Sequence, residues 1–161
     1  MWLTRRHCLT LLAAAGPAIL VRPGVGAGAA ALPDTLALRG FDAVTYFLDG
    51  EPQAGRPAFE LNWRGRAWRF ASAANRAVFR DHPAVYAPRL AGYDPVGVAQ
   101  GRIVDADPLV FARLVHAGEN RLYLFRNAEH RERASRDPGL VAQAETRWPT
   151  LNDVKDPRLP D

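Results

Sequence analysis

The feature that most constrains this chain is that it resembles itself. The segment GFDAV at 40–44 returns as GYDPV at 92–96, an offset of 52 residues between Gly40 and Gly92. Farther on, GRAWRFASAANRAVFRDHP at 65–83 returns as NRLYLFRNAEHRERASRDP at 120–138, an offset of 55 between Gly65 and Asn120. That alignment sets Trp68 and Phe70 on Tyr123 and Phe125, Arg76 on Arg131, and Pro83 on Pro138. The two offsets differ as a longer loop in the second copy would make them. Two diverged copies of a unit of about 50 residues are the natural reading.

Each copy has a physical pattern. Val44, Tyr46 and Leu48 alternate with Thr45 and Phe47 before Asp49 and Gly50, which predicts a strand running into a turn. Phe59, Leu61 and Trp63 alternate with polar residues up to Gly65, and Trp68 and Phe70 resume the alternation, which predicts a hairpin with one aromatic face. Ser72 then caps a helix closed by Pro83, with Asn127 capping a polar helix through Arg136 in the second copy. A further helix is expected over 140–147, followed by a loose tail over 150–161. One such unit buries too little surface to be stable alone. The expected fold is therefore α+β: a tandem pair of strand/hairpin/helix units over 32–149, packed as one pseudo-twofold domain, with copy one at about 40–91 and copy two at about 92–149. The paired aromatics are expected to share one core.

The first 31 residues stand apart. They hold Arg5, Arg6 and Arg22 and no acid, so of the 21 Lys and Arg and 17 Asp and Glu in the chain, 18 bases and 17 acids remain beyond them. That balance argues against a nucleic-acid-binding face. The only cysteine, Cys8, also lies there, so the rest of the chain has no thiol for a disulfide, a thiolate nucleophile, an iron–sulfur cluster or a cysteine-ligated zinc. TRRHCLT at 4–10 followed by an apolar run over 9–21 resembles a twin-arginine export signal, with Arg5 and Arg6 as the residues its receptor reads. The apolar run is shorter than the ~20 residues of a bilayer span. Cleavage is expected near 29–31, leaving no membrane span, and the expected location is the periplasm. The partners this implies are the twin-arginine translocase during export and an unidentified periplasmic protein afterwards. Gly24, Gly26 and Ala29 imitate a dinucleotide fingerprint, but no strand precedes them. Cys8 precedes the apolar run, whereas a lipidated cysteine would follow it.

RGFDAVTYF, WRFASAANRAVF, AGYDPVGVAQG and ETRWPTL together resemble the YHS domain family, and the mature chain is similar to a group of exported bacterial YHS proteins, some of which carry selenocysteine. The resemblance implies a small module related to zinc-ribbon-like and treble-clef-like folds. It also implies where metal-binding members carry cysteines. Those places hold Thr45, Ala71 and Asn75 in copy one and Gly97, Arg126 and His130 in copy two. Where the exported group commonly has cysteine or selenocysteine after a glycine and tyrosine, this chain has Asp94 after Gly92 and Tyr93.

The candidate binding residues are Asp42, Tyr93, Asp94 and His130. Asp42 and Asp94 are repeat-equivalent carboxylates, able to bind a cation or share a proton, or else to cap a turn in each unit. His82, His116 and His130 show no HxxxH or HExxH spacing, and His130, opposite Asn75, reads as a surface histidine. Trp63, Trp68, Phe70, Tyr123, Phe125 and Trp148 read as core, and the arginines as a solvated face. No catalytic residue, resident metal or cofactor is expected. The expected function is an exported, non-catalytic binding or accessory protein. The alternatives are a metal-binding or redox-associated protein using Asp94, His130 and Tyr93, and a structural subunit of an exported complex.

Overall fold

A computed structural model describes residues 36–155, all within one structural unit. Arg5, Arg6 and the cleavage region near 29–31 lie outside the described residues. The described chain opens with short 3-10 turns at Ala37–Gly40 and Thr45–Phe47, then a hairpin of β1 (Arg56–Trp63) and β2 (Arg66–Phe70), then helices α1 (Ala73–Asp81) and α2 (Pro83–Tyr86). Next come a turn at Arg89–Gly92, helix α3 (Pro95–Ala99), a hairpin of β3 (Asp107–His116) and β4 (Glu119–Phe125), and helices α4 (Ala128–Arg136) and α5 (Pro138–Lys155). The fold is α+β, with five helices and two 2-stranded antiparallel sheets.

Both hairpins turn on two residues of positive φ, Arg64 (49°) with Gly65 (71°) and Ala117 (52°) with Gly118 (80°), the backbone whose twist matches the flanking strands. Both break register near the start of their first strand, between Arg56 and Glu60 and between Asp107 and Phe111. The following helices begin at side-chain caps: Ser72 accepts from the Asn75 N–H at 3.1 Å and Asn127 from the His130 N–H at 2.9 Å.

Three expectations change. The alternation over 44–48 forms a 3-10 turn, not a strand, because local side chains capture the backbone first. Asp42 Oδ1 accepts from the Val44 N–H at 2.9 Å, and the Thr45 hydroxyl donates to the Asp42 carbonyl at 2.7 Å. Each sheet therefore has two strands. Helix α5 does not stop at Trp148, and 150–155 are helical rather than loose. Pro149 removes one backbone donor, yet Leu140, Ala144, Trp148 and Leu151 keep one apolar stripe against the second cluster of the core, and burial of that stripe holds the helix together.

The third change concerns the core. Trp68 and Phe70 are buried with Phe79 in one cluster, while Tyr123 and Phe125 are buried with Val96, Val98 and Val141 in another. Strand β4 lies between them: Leu122 and Leu124 face the first cluster, Tyr123 and Phe125 the second, and none of the four is more than 3% exposed. A strand apolar on both phases is one covered on both faces. At the place of Leu124, β2 has Arg69, ion-paired with Glu60 at 3.0 Å, so β2 lacks that second apolar face. Tyr46 ties the halves further, its hydroxyl donating to the Pro108 carbonyl at 3.0 Å and its ring edge-on to Phe111 at 5.0 Å.

Candidate functional site

Two left-handed turns prepare the candidate residues. Leu38, Arg39 and Gly40 have φ of 52°, 50° and 89°, and Leu90, Ala91 and Gly92 have 55°, 50° and 83°. Consecutive left-handed residues cost L-amino acids roughly 1–2 kcal/mol each. The turns persist because Leu38 and Leu90 are buried and because the Phe41 and Tyr93 N–H groups close onto the Leu38 and Leu90 carbonyls at 3.0 and 2.9 Å. Each turn delivers an aspartate inward two residues after its glycine.

Both aspartates are 0% exposed. Asp42 Oδ2 accepts from the Ala71 N–H at 2.8 Å and from Asn75 Nδ2 at 2.7 Å, while its Oδ1 holds the Val44 N–H. Asp94 caps α3 by accepting from the Gly97 N–H at 2.9 Å through Oδ2, and its Oδ1 accepts from the Arg126 N–H at 3.2 Å. The third partner of Asp94 is His130, whose Nδ1 lies 2.8 Å from Oδ2. His130 is therefore no free surface histidine: its side chain is 24% exposed and oriented by a buried carboxylate.

Each carboxylate thus joins an inter-element loop to the start of a helix, using both oxygens on donors from within its own half. The residues at the places where the resemblance implies cysteines converge on these aspartates: Ala71 and Asn75 on the Asp42 carboxylate, Thr45 on the Asp42 main-chain carbonyl, and Gly97, Arg126 and His130 on the Asp94 carboxylate. A Cβ at Gly97 would meet Val104 Cγ2 at 2.5 Å, so this backbone has no room for a side chain there. Among the described residues, no three His, Cys, Asp or Glu side chains form a group able to hold a metal ion.

Of the four candidate residues, Asp94 and His130 meet, Asp42 stays with Asn75, and Tyr93 goes elsewhere. The Tyr93 ring packs against Trp148, tilted by 40° with the centroids 5.9 Å apart, and lines a cleft of about 610 Å³ together with Trp63 and Trp68. The cationic wall of the cleft is Arg64, Arg66, Arg89 and Arg121. A second cavity of about 630 Å³ shares Arg66, Trp68 and Tyr93 with the first. Arg66 reaches across to the left-handed turn, donating to the Ala91 carbonyl at 3.3 Å. Deeper in, Glu145 accepts from Arg89 Nε at 2.8 Å and from the Tyr123 hydroxyl at 2.7 Å. Burial pulls the Glu145 carboxyl upward, but the Arg89 and Tyr123 hydrogen bonds outweigh it and hold it below its ordinary value. The Tyr123 phenol is pushed well up, by burial first and then by Glu145.

The chain matches no family model, no curated protein and no solved structure.

The sequence alone hides the cleft, because its tryptophans read as core and its arginines as a solvated face. Trp68 is indeed buried, at 6% exposure, whereas Trp63 and Trp148 are only half-buried. The signal that marks it is the tight interleaving of rings and cations in Trp63, Arg64, Arg66 and Trp68.

Proposed function

We propose that this chain is an exported, non-catalytic binding or accessory protein, built from two diverged YHS-like units related by a pseudo-twofold, with its ligand site in the cleft beside Tyr93. One observation carries the reading: both buried aspartates have each oxygen occupied by donors from their own half, while the open, ring-lined cleft lies apart from them. A carboxylate so used has structure to hold, and it lacks the open position that acid–base or metal chemistry needs. The duplication is supported by the recurrence of left-handed turn, buried aspartate, broken-register hairpin and capped helix in each half. The family resemblance is supported by the convergence of the six cysteine-equivalent positions on the two aspartates. Export is supported by Arg5, Arg6 and the apolar run after them. No helix among the described residues is long and apolar enough to cross a membrane.

The test is an NMR titration of the purified chain with a mixture of small organic fragments and, separately, with zinc and copper. The expected response is in the amide signals of 89–93 and the indole N–H signals of Trp63 and Trp148. A response confined to 126–130, or a melting temperature that falls with chelator and rises with metal, would move the site to Asp94 and His130.

A further inference from the structure

Resting on that reading of the cleft, we infer that its ligand is a planar organic anion, a carboxylate or phosphate ester carried on a flat apolar body. The charge of the walls argues for the anion. No Asp or Glu lines the cleft, although four arginines do. Arg89 is neutralised by Glu145, and Arg121 is paired with Glu119 while also donating to the Ala84 carbonyl. Arg64 and Arg66 have no carboxylate partner among the described residues: the contact of Arg64 is with a ring and that of Arg66 with a backbone carbonyl. Two guanidinium forks flanking the turn of the first hairpin therefore retain donors for a carboxylate or phosphate.

The rings argue for the flat body. The Arg64 guanidinium carbon lies 4.6 Å from the centroid of the Trp63 ring, so cation and ring are presented together. Trp63 stands edge-on to Trp68 at 5.5 Å, and the Trp68 indole N–H is satisfied by the Trp63 carbonyl at 3.1 Å, leaving its ring to act as an apolar wall. Trp148 and Tyr93, tilted against each other by 40°, line the cleft on the α5 side. A cleft of about 610 Å³ is the size of a small-molecule site and far larger than a bare inorganic anion fills.

The experiment is calorimetric titration of the purified full chain with naphthoate, naphthyl phosphate, the uncharged naphthylmethanol, and inorganic phosphate. Naphthoate or naphthyl phosphate should bind, with the indole N–H signals of Trp63 and Trp148 shifted in a parallel NMR titration, and the one that binds more tightly identifies the head group. The uncharged alcohol and inorganic phosphate should each bind roughly tenfold or more weakly, as each lacks one half of the recognised group. Arg64→Asn should weaken the anion roughly tenfold and leave the alcohol unchanged. It keeps the fold, because asparagine favours the positive φ that Arg64 adopts in an exposed turn. Arg66→Lys, read in the same way, should also lose affinity by losing the planar fork. Equal affinity for the acid and the alcohol would overturn the anion proposal and leave the cleft reading standing. Failure of every probe to shift either indole would overturn both.

Discussion

Asp94 Oδ2 and His130 Nδ1 meet at 2.8 Å in the second half of the chain, where Asp42 Oδ2 and Asn75 Nδ2 meet at 2.7 Å in the first. A ring nitrogen and an amide nitrogen do the same work: each brings a donor from the first turn of a helix to a fully buried carboxylate. Replacing Asp94 by Ala strands the Gly97 and Arg126 N–H groups and should cost about 3 kcal/mol of stability in urea denaturation. His130→Asn, which installs the first half's own donor, should stay within about 1 kcal/mol of the parent. A nearly neutral Asp94→Ala would show that the carboxylate is held for chemistry and not for architecture.

Gly97 is closed to larger residues. Its Cβ would sit 2.5 Å from Val104 Cγ2 and 2.8 Å from Val104 Cβ, the latter close to the backbone. Gly97→Ala should therefore lower stability by about 2 kcal/mol, and pairing it with Val104→Ala should recover part of that loss. Thermal melts of the two single variants and the double variant test this directly.

The left-handed turn at Ala91 carries strain without needing a side chain. Ala91 is exposed, with φ at 50°. Ala91→Gly should stabilise the chain by up to about 1 kcal/mol, since relief of the left-handed penalty exceeds the extra entropy of glycine. Ala91→Val should move the denaturation midpoint the other way, because a β-branched residue tolerates positive φ worst.

Two buried phenols set an alkaline limit. Burial, then the charges of Asp107 and Asp42, raises Tyr46, and burial with Glu145 raises Tyr123, both well above the ordinary 10.0. Unfolded tyrosines release their protons near that value while the folded ones keep them. Their contribution is whole below it and is lost as pH rises past it. The urea midpoint should fall steeply above about pH 10, and Tyr46→Phe should make that limb shallower. Glu145, held below its ordinary 4.5, acts at the other end: its contribution is present above that value and fades as pH drops beneath it.

Export should depend on the arginine pair. Changing Arg5 and Arg6 together to Lys keeps the charge but removes the planar donor array, so precursor should accumulate in the cytoplasm. Cell fractionation with undiminished periplasmic protein would rule out the twin-arginine route.

Local chemistry was the most legible part of this fold. Ser72 and Asn127 announce the helices they cap, and Gly65 marks the first hairpin turn. The alternation of Val44, Tyr46 and Leu48 misled, because the side chains of Asp42 and Thr45 hold that backbone in a turn. Nothing in a leucine followed by an alanine predicts three left-handed residues. Burial of Leu90 and closure by the Tyr93 N–H impose them. Asp94 and His130 could each be picked out alone, but their meeting spans 36 residues and depends on how α4 docks. The cleft was less legible still, since it needs Trp148 from a helix that continues through a proline and Arg121 from the far hairpin.

Strand β4 also decides who depends on whom. Severed between Ala87 and Pro88, the leading fragment would keep Trp68, Phe70 and Phe79 but lose Leu122 and Leu124, the roof over those rings. The trailing fragment would keep both sides of its own hairpin, yet one side would be bare of its neighbour. Neither piece would be a smaller version of the whole. Mixed together, the two fragments should regain structure only as a complex, with a single strand serving as the shared organ of both.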